Sequence, residues 1–272
     1  MSVDLQHDVT LDQRYGGAAP ARVLTTPVVE QQLAHRSVRR YLPDAVDDDV
    51  LATLVAAAQS AATSSNLQLW SVVAVRDAER RARLAALAGD QAHVVQAPVL
   101  LVWLVDLARA HAVAARHDAP TAGAEYLETA VVGFVDAALA AQNATLAAES
   151  LGLGTVYIGA LRNHPTEVAD LLGLPRHAFP AFGLVVGHPD PSEGARVKPR
   201  LPQAAVLHHE AYDEAAHHVV DEYEQRIGAF YADEGLEHSW VERLLARLSG
   251  PRSLHGRERL REHLGARGFP LR

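Results

Sequence analysis

The chain has 272 residues, of which 49% are apolar, so it is long enough to bury a sizeable core in one compact unit. Its formal net charge of -8 argues against nucleic acid as the main partner, because no domain-scale basic field is present to release counterions. The absence of cysteine excludes disulfides, thiolate metal sites and cysteine nucleophiles. The 15 histidines show no spacing typical of metal ligands, so we expect no metal.

The N-terminal region shows little periodicity and no apolar run, which argues against a secretory signal peptide. Residues 1–26 are predicted to be a flexible extension, and residues 27–272 the folded domain. The longest uninterrupted apolar stretch, residues 97–105, is too short to span a bilayer. We therefore expect a soluble, cytoplasmic protein without a membrane partner.

Helical and strand patterns are mixed along the chain without strict alternation. Helices are predicted at residues 27–34, 47–58, 124–151, 166–172, 211–231, 238–248 and 256–272, with a shorter helix through Leu84 and Leu87. Buried strands are predicted at residues 70–75, 99–105, 155–158 and 179–187, and a loop or short helix at 108–122. The longest helix carries small residues on several faces, which indicates packing on all sides in the core or at a subunit interface. No G-x-G-x-x-G follows a strand, so a Rossmann domain is not expected.

A basic stretch follows the first of these helices. Residues 35–41 contain three arginines, a histidine and a serine hydroxyl, which favours a pocket for a phosphate-like group. A solvated basic turn beside a helix is the alternative. Lys198 and Arg200 form a second cationic pair, and in an extended segment they would lie on the same side.

Two turns next to predicted strands are also candidates. Residues 61–68 form a turn rich in Ser, Thr, Asn and Gln between a helix and a strand, a frequent place for ligand contacts. The alternative is an ordinary helix C-terminus with capping residues. Gly159 ends the strand at 155–158, where it would allow a ligand close to the backbone or would simply form a tight turn.

Taken in order, these segments resemble the FMN-dependent nitroreductases. The resemblance is strongest to the oxygen-insensitive NADPH nitroreductases and NADPH–flavin oxidoreductases. The matching segments are residues 35–39, 62–68, 91–93, 135–143, 148–159, 182–187 and 198–202. The resemblance implies an α+β fold with a central, mostly antiparallel sheet flanked by helices, in an interlocked homodimer that binds FMN at its interface. The long alanine-rich helix would be the central helix of that dimer.

The resemblance also assigns residues to FMN. The phosphate and ribityl chain would be held by His35, Arg36, Ser37, Lys198 and Arg200. The remaining positions would surround the flavin ring: Arg39 at the N1/O2 edge, Gln91 at the pyrimidine edge, Thr63, Ser64 and Ser65 at the ring and ribityl group, and the backbone of Tyr157, Ile158, Gly159 and Ala160 near N5. The family more often has a second glycine where this chain has Ala160.

The chemistry implied by the resemblance belongs to the cofactor. NADPH or NADH would give a hydride to flavin N5, and a nitroaromatic, quinone or flavin acceptor would then take the same place, in a ping-pong mechanism. The related enzymes carry an arginine in a loop that binds the NADPH 2′-phosphate, whereas residues 232–239 here are acidic, so NADPH is favoured only slightly over NADH. A protein that stores or senses FMN with little turnover is the alternative function.

Overall fold

The computed structural model describes residues 9–20 and 23–272, which form two compact units. The first unit contains the chain up to Arg36 together with Ala195–Ser253. The second contains Ser37–Gly194 and Leu254–Arg272. Of the predicted extension at residues 1–26, the described residues 9–20 and 23–26 belong to the first unit. Residues 1–8, 21 and 22 lie outside the described part of the chain.

The second unit is built on a four-stranded sheet with the order β1-β2-β4-β3. The strands are β1 (Trp70–Val75), β2 (Val99–Asp106), β3 (Gly154–Ile158) and β4 (Ala178–Gly187). Each neighbouring pair is antiparallel. The four predicted strands and the antiparallel sheet are therefore confirmed. The first seven residues of β2, 99–105, are all apolar and buried, which suits the central place of the strand, because a strand covered on both faces needs apolar side chains on both.

The α-helices of the described residues are α1 (Val9–Tyr15), α2 (Pro27–Leu33), α3 (Asp48–Gln59), α4 (Ala78–Leu87), α5 (Ala92–Gln96), α6 (Ala108–Arg116), α7 (Leu127–Ser150), α8 (Pro165–Leu171), α9 (Val220–Ala232), α10 (Trp240–Leu248) and α11 (Leu260–Ala266). The predicted helices are present, although a 3₁₀ turn at Glu214–Val219 precedes α9 and the last helix is limited to α11. The region at 108–122 contains α6, and α5 was not predicted. The N-terminal region contains α1 and a 3₁₀ turn at Gly16–Ala18.

Local sequence explains where several helices begin. Thr26 accepts a hydrogen bond from the backbone of Val29, and Pro27 occupies the first turn of α2. Asp48 and Asp49 lie in the first turn of α3, where the helix dipole stabilises negative charge. Ser239 caps α10 by accepting from the backbone of Glu242.

Helices cover both faces of the sheet in the second unit. Leu101 and Trp103 of β2 pack with buried residues of α3 and α7. The alternate residues Leu100 and Val102 pack with buried residues of α4, α5 and α8. The side-chain alternation of β2 thus places the sheet between two helical layers, as the α+β expectation requires.

Helix α7 has two different faces. Its buried face is mostly alanine and packs on α3 and β2. Its opposite face exposes a line of larger apolar side chains, with exposed fractions of 53, 46, 50 and 43% for Leu127, Val131, Val135 and Leu139. The sequence predicted that α7 is packed on all sides. Within the described single chain, it is packed on one side only.

The length and mean hydropathy of α7 would allow it to cross a membrane, although polar residues interrupt its apolar sequence. Of that apolar window, 44% is buried inside the protein. A core helix of a globular unit satisfies the same test, so this similarity is weak evidence for a membrane span.

In the first unit, α1 and α2 pack together and α9 packs with α10. The rings of Tyr223 and Trp240 meet edge to face, with centroids 5.4 Å apart. Leu11 and Arg14 of α1 are both buried.

Candidate functional site

The first two residues of the predicted basic stretch, His35 and Arg36, meet the second cationic pair in the first unit. The guanidinium of Arg14 donates to the carbonyl oxygens of Leu33 and Lys198, each at 2.9 Å, and to that of His35. The backbone N–H of Arg200 donates to the carbonyl of Arg14 at 2.8 Å. The segment ending α2 and the segment at residues 198–200 are therefore adjacent. We refer to His35, Arg36, Lys198 and Arg200 as the phosphate cluster.

The cationic side chains of this cluster have different surroundings. Arg36 and Arg200 are exposed. The ammonium of Lys198 lies 3.0 Å from the hydroxyl of Tyr231 in α9 and 5.3 Å from the centroid of its ring. The backbone of Lys198 is thus beside His35 while its ammonium contacts α9.

The second unit receives the chain directly after Arg36. The N–H of Val38 donates to the carbonyl of Thr155 at 2.9 Å, and Ser37 forms a parallel bridge with Thr155. A Cβ on Gly154 would approach the Val38 side chain to 2.8 Å, so only glycine permits this contact. Because the bridge is parallel, the chain from Ser37 to Arg39 runs in the direction of Thr155 to Tyr157.

Arg39, Gln91 and His93 supply polar groups in the same unit. The Arg39 N–H donates to Glu193 Oε1 at 2.5 Å, and the Gln91 side-chain amide donates to the carbonyl of Ala88 at 2.7 Å. Burial and, to a smaller extent, the charge of Arg39 lower the pKa of His93. His93 Nε2 is buried without a hydrogen-bond partner. His93 lies in a segment that carried the resemblance, but sequence reasoning gave it no role.

The end of β3 presents the next predicted residues. Tyr157 is 38% exposed in an otherwise buried strand, and its hydroxyl shares a 3.0 Å hydrogen bond with that of Thr145 in α7. Burial raises the pKa of the Tyr157 phenol. Ile158 is buried, and a 3₁₀ helix begins at Gly159 and includes Ala160. A Cβ on Gly159 would make only an ordinary contact, 3.4 Å from Arg162, so packing within the chain does not require a glycine there.

The predicted polar turn is held by a buried carboxylate. Asp136 of α7 accepts hydrogen bonds from the Thr63 hydroxyl at 2.7 Å, the Ser64 N–H at 3.1 Å and the Leu69 N–H at 3.2 Å. Ser64 and Ser65 are exposed, and the backbone of Ser65 is left-handed with φ of 49°. Asp136 was missed as a functional residue, although a lone acid on the alanine-rich face of a helix was a usable signal.

These groups lie on two sides of α7. Asp136 and Thr145 are nine residues apart, which is about two and a half turns and roughly 13.5 Å along the axis. The turn at residues 63–69 and the end of β3 are therefore bound to opposite edges of the buried face of α7. The structure brings Ser37 and Arg39 towards β3, and it separates Thr63, Ser64 and Ser65 from them.

A groove adjoins the polar turn in the second unit. It encloses about 790 Å³, and its lining includes Leu67, Trp70 of the edge strand β1 and Val113 of α6. Arg109 donates to the carbonyls of Gln68 and Trp70 at 2.7 and 2.8 Å. The lining of the groove is mainly apolar with several polar side chains, a composition typical of sites for small organic molecules.

The described side chains include no cluster suited to a metal ion. Among residues 9–20 and 23–272, no group of three or more His, Asp or Glu side chains is placed to hold a metal ion. The donor chemistry of each unit, taken separately, suits part of FMN: the phosphate cluster of the first unit is cationic. In the second unit, Arg39 acts electrostatically on His93, whose Nε2 is buried without a hydrogen-bond partner.

Comparison with known proteins identifies the class. Residues 33–188 match the family model described as nitroreductase family, and residues 198–272 match the C-terminal domain of the same family. The chain therefore belongs to the nitroreductase family, and the resemblance inferred from the motifs is confirmed.

Individual relatives narrow the comparison. The chain is 38% identical to the NADPH-flavin oxidoreductase of Vibrio harveyi over 90% of this chain and 98% of that protein. It is 42% identical to an FMN reductase [NAD(P)H] of Bacillus subtilis, over 75% of this chain and 82% of the relative. Among solved structures, NfrA2 of B. megaterium matches with a TM-score of 0.86 and 38% identity, over 91% of this chain and all of that one.

Proposed function

We propose that this protein is an NAD(P)H-dependent FMN oxidoreductase that reduces small electron-poor acceptors. The observation that carries the proposal is the meeting of the two cationic segments of the phosphate cluster around Arg14 in a member of the nitroreductase family. Relatives named as an NADPH-flavin oxidoreductase and an FMN reductase support the same cofactor and reductant. FMN supplies the redox chemistry when bound, by taking a hydride from the nicotinamide and passing two electrons to the acceptor.

The phosphate cluster would bind the charged end of FMN. Arginine guanidinium groups form charge-assisted, bidentate hydrogen bonds with phosphate, and a lysine contributes a point charge. Arg36 and Arg200 are exposed and therefore accessible to such a ligand. Ser37 follows Arg36 directly in the chain and would add a hydroxyl for the ribityl chain.

Residues of the second unit would bind the ring. Arg39 would place positive charge at the N1/O2 edge, where it stabilises negative charge gained on reduction. Gln91 would bond the pyrimidine edge. His93, whose Nε2 is buried without a hydrogen-bond partner and whose pKa is lowered by burial, would add a hydrogen bond at the same edge. The backbone from Tyr157 to Ala160 would approach N5, since Gly159 has no packing reason to lack a side chain.

We also propose that the active form is a homodimer. The line of exposed apolar residues on α7 is a surface that a second copy would cover. Thr63 and Ser64 are bound to Asp136, at the edge of the buried face of α7 opposite to the edge that binds Tyr157. Thr63, Ser64 and Ser65 of one copy would therefore contact FMN together with the β3 residues of the other copy.

The acidic loop bears on the choice of reductant. Arg196 lies 3.6 Å from Asp233 and 3.3 Å from Glu234, so part of the negative charge of residues 232–239 is paired. This pairing weakens the repulsion of a 2′-phosphate. We propose NADPH as the preferred reductant, with NADH also accepted. The cytoplasm, where both nucleotides serve as reductants, is the proposed location.

Steady-state kinetics with the FMN-loaded protein tests the mechanism. NADPH or NADH would be varied against menadione, a nitroaromatic and free FMN. Parallel double-reciprocal lines are expected, because reductant and acceptor use the same place in turn. Intersecting lines would contradict the ping-pong proposal, and bound FMN without turnover of any acceptor would favour a storage or sensor protein.

A further inference from the structure

The N-terminal helix α1 contributes a buried charge to the first unit. Arg14 is 5% exposed, in a helix that begins well before the family model's match at residue 33. A buried arginine is costly unless its donors are satisfied. Here the guanidinium reaches three backbone carbonyls.

The partners of Arg14 are the backbones of the phosphate cluster. One nitrogen donates to Lys198, one to His35, and Nε to Leu33 at the end of α2. The carbonyl of Arg14 accepts from Arg200. A single side chain and its own backbone thus join both cationic segments, and the planar fork of guanidinium donors suits this task where an ammonium does not.

A second arginine of the same unit supports the arrangement. Arg226 of α9 donates to the carbonyl of Arg200 at 3.1 Å, and its side chain packs 3.2 Å from the position of a Cβ on Gly16, directly after α1. The segment at residues 198–200 is therefore held by arginines from both α1 and α9.

We infer that Arg14 is a positioning residue for the FMN phosphate. It fixes the backbone spacing between His35 and Lys198, and its charge adds to the positive potential without contact with the ligand. The inference rests on the proposed function. It also gives the segment before residue 26, expected to be a flexible extension, a part in cofactor binding.

Riboflavin provides the discriminating ligand, because it is FMN without the phosphate. Dissociation constants of FMN and riboflavin would be measured by fluorescence quenching for the full chain and the variants Arg14→Met and Arg14→Lys. Arg14→Met should weaken FMN binding by about tenfold or more, because a misplaced phosphate cluster would lose roughly one hydrogen bond to the charged phosphate. Riboflavin binding should stay unchanged. Arg14→Lys keeps the charge but not the fork and should fall in between.

Gln13→Ala is the matched control, since Gln13 is exposed on the same helix, and it should leave both constants unchanged. Unchanged FMN binding in Arg14→Met, or an equal loss for FMN and riboflavin, would overturn the inference, because the second result marks a general loss of structure. If Arg14→Met does not fold, the inference is tested by Arg14→Lys alone, through the same comparison of its FMN and riboflavin dissociation constants with those of the wild type. A wild-type protein that binds neither flavin would refute the proposed function itself, whereas one that binds both equally would refute the phosphate cluster and with it the role of Arg14.

Discussion

Replacement of Asp136 by alanine tests how the polar turn is held. The carboxylate accepts from the Thr63 hydroxyl and from the N–H groups of Ser64 and Leu69. Thr63 and Ser64 are partly or fully exposed and can turn to water, but Leu69 is buried, so its N–H would lose its partner without replacement. We expect a loss of about 2–4 kcal/mol in the free energy of unfolding, mostly from that unsatisfied donor and the lost bonds to a charged acceptor.

For a chain of this size, such a loss lowers the melting temperature by roughly 2–4 °C for each kcal/mol. Differential scanning calorimetry would measure the shift, and hydrogen exchange would measure protection of the Ser64 and Leu69 amides. Asp136→Asn should cost less, because its oxygen still accepts while its NH₂ group cannot. Glu79→Ala, at an exposed acid of α4, is the control. An unchanged melting temperature with unchanged amide protection in Asp136→Ala would refute the reasoning.

Three further changes test other parts of the account. Val135→Glu places a charge on the exposed apolar face of α7 and should convert a dimer to monomers by light scattering. Arg39→Ala should weaken FMN retention and slow flavin reduction, measured by dialysis and stopped-flow absorbance. Because the pKa of His93 is lowered in the fold, the unfolded state binds more protons below its ordinary pKa of about 6.5, so stability falls as pH drops below that value. His93→Gln should remove part of that loss, measured as melting temperature against pH.

Each of these predictions has a contradicting result. If Val135→Glu remains a dimer, the interface lies elsewhere on the protein. Val113→Glu, at an exposed valine of α6, is the matched control. Full flavin retention and full rate in Arg39→Ala would remove its role at the N1 edge. A pH profile of His93→Gln that coincides with the wild type would show that His93 does not titrate differently in the two states.

The strands and most helices followed from local pattern. β2 is indicated by its run of consecutive apolar residues, and the end of β3 by the glycine that follows it. Both signals involve residues close together in the chain, so they can be recognised in the sequence. Helix α5 has only five residues, too few for a helical period to appear. The strand order could not be derived, because it depends on contacts between segments far apart in sequence.

The sequence indicated which residue types form the candidate site, but it gave less information about how these residues are arranged in space. The basic stretch at residues 35–41 was visible, but its connection to Lys198 passes through Arg14, which no motif singles out. The polar turn at residues 61–68 was also predicted from the sequence. Its hydrogen bonds to Asp136 and its separation from Tyr157 were not, because they depend on the geometry of α7. Side-chain partners of this kind are set by tertiary structure rather than by spacing.

Anaerobic titration of the FMN-loaded protein with NADPH tests the central claim most directly. The account predicts that about one equivalent of NADPH per FMN bleaches the flavin absorbance, and that addition of a quinone or nitroaromatic restores it, because the cofactor carries two electrons between two separate partners. A protein that retains FMN but bleaches with neither NADPH nor NADH, or one that does not retain FMN at all, would contradict it.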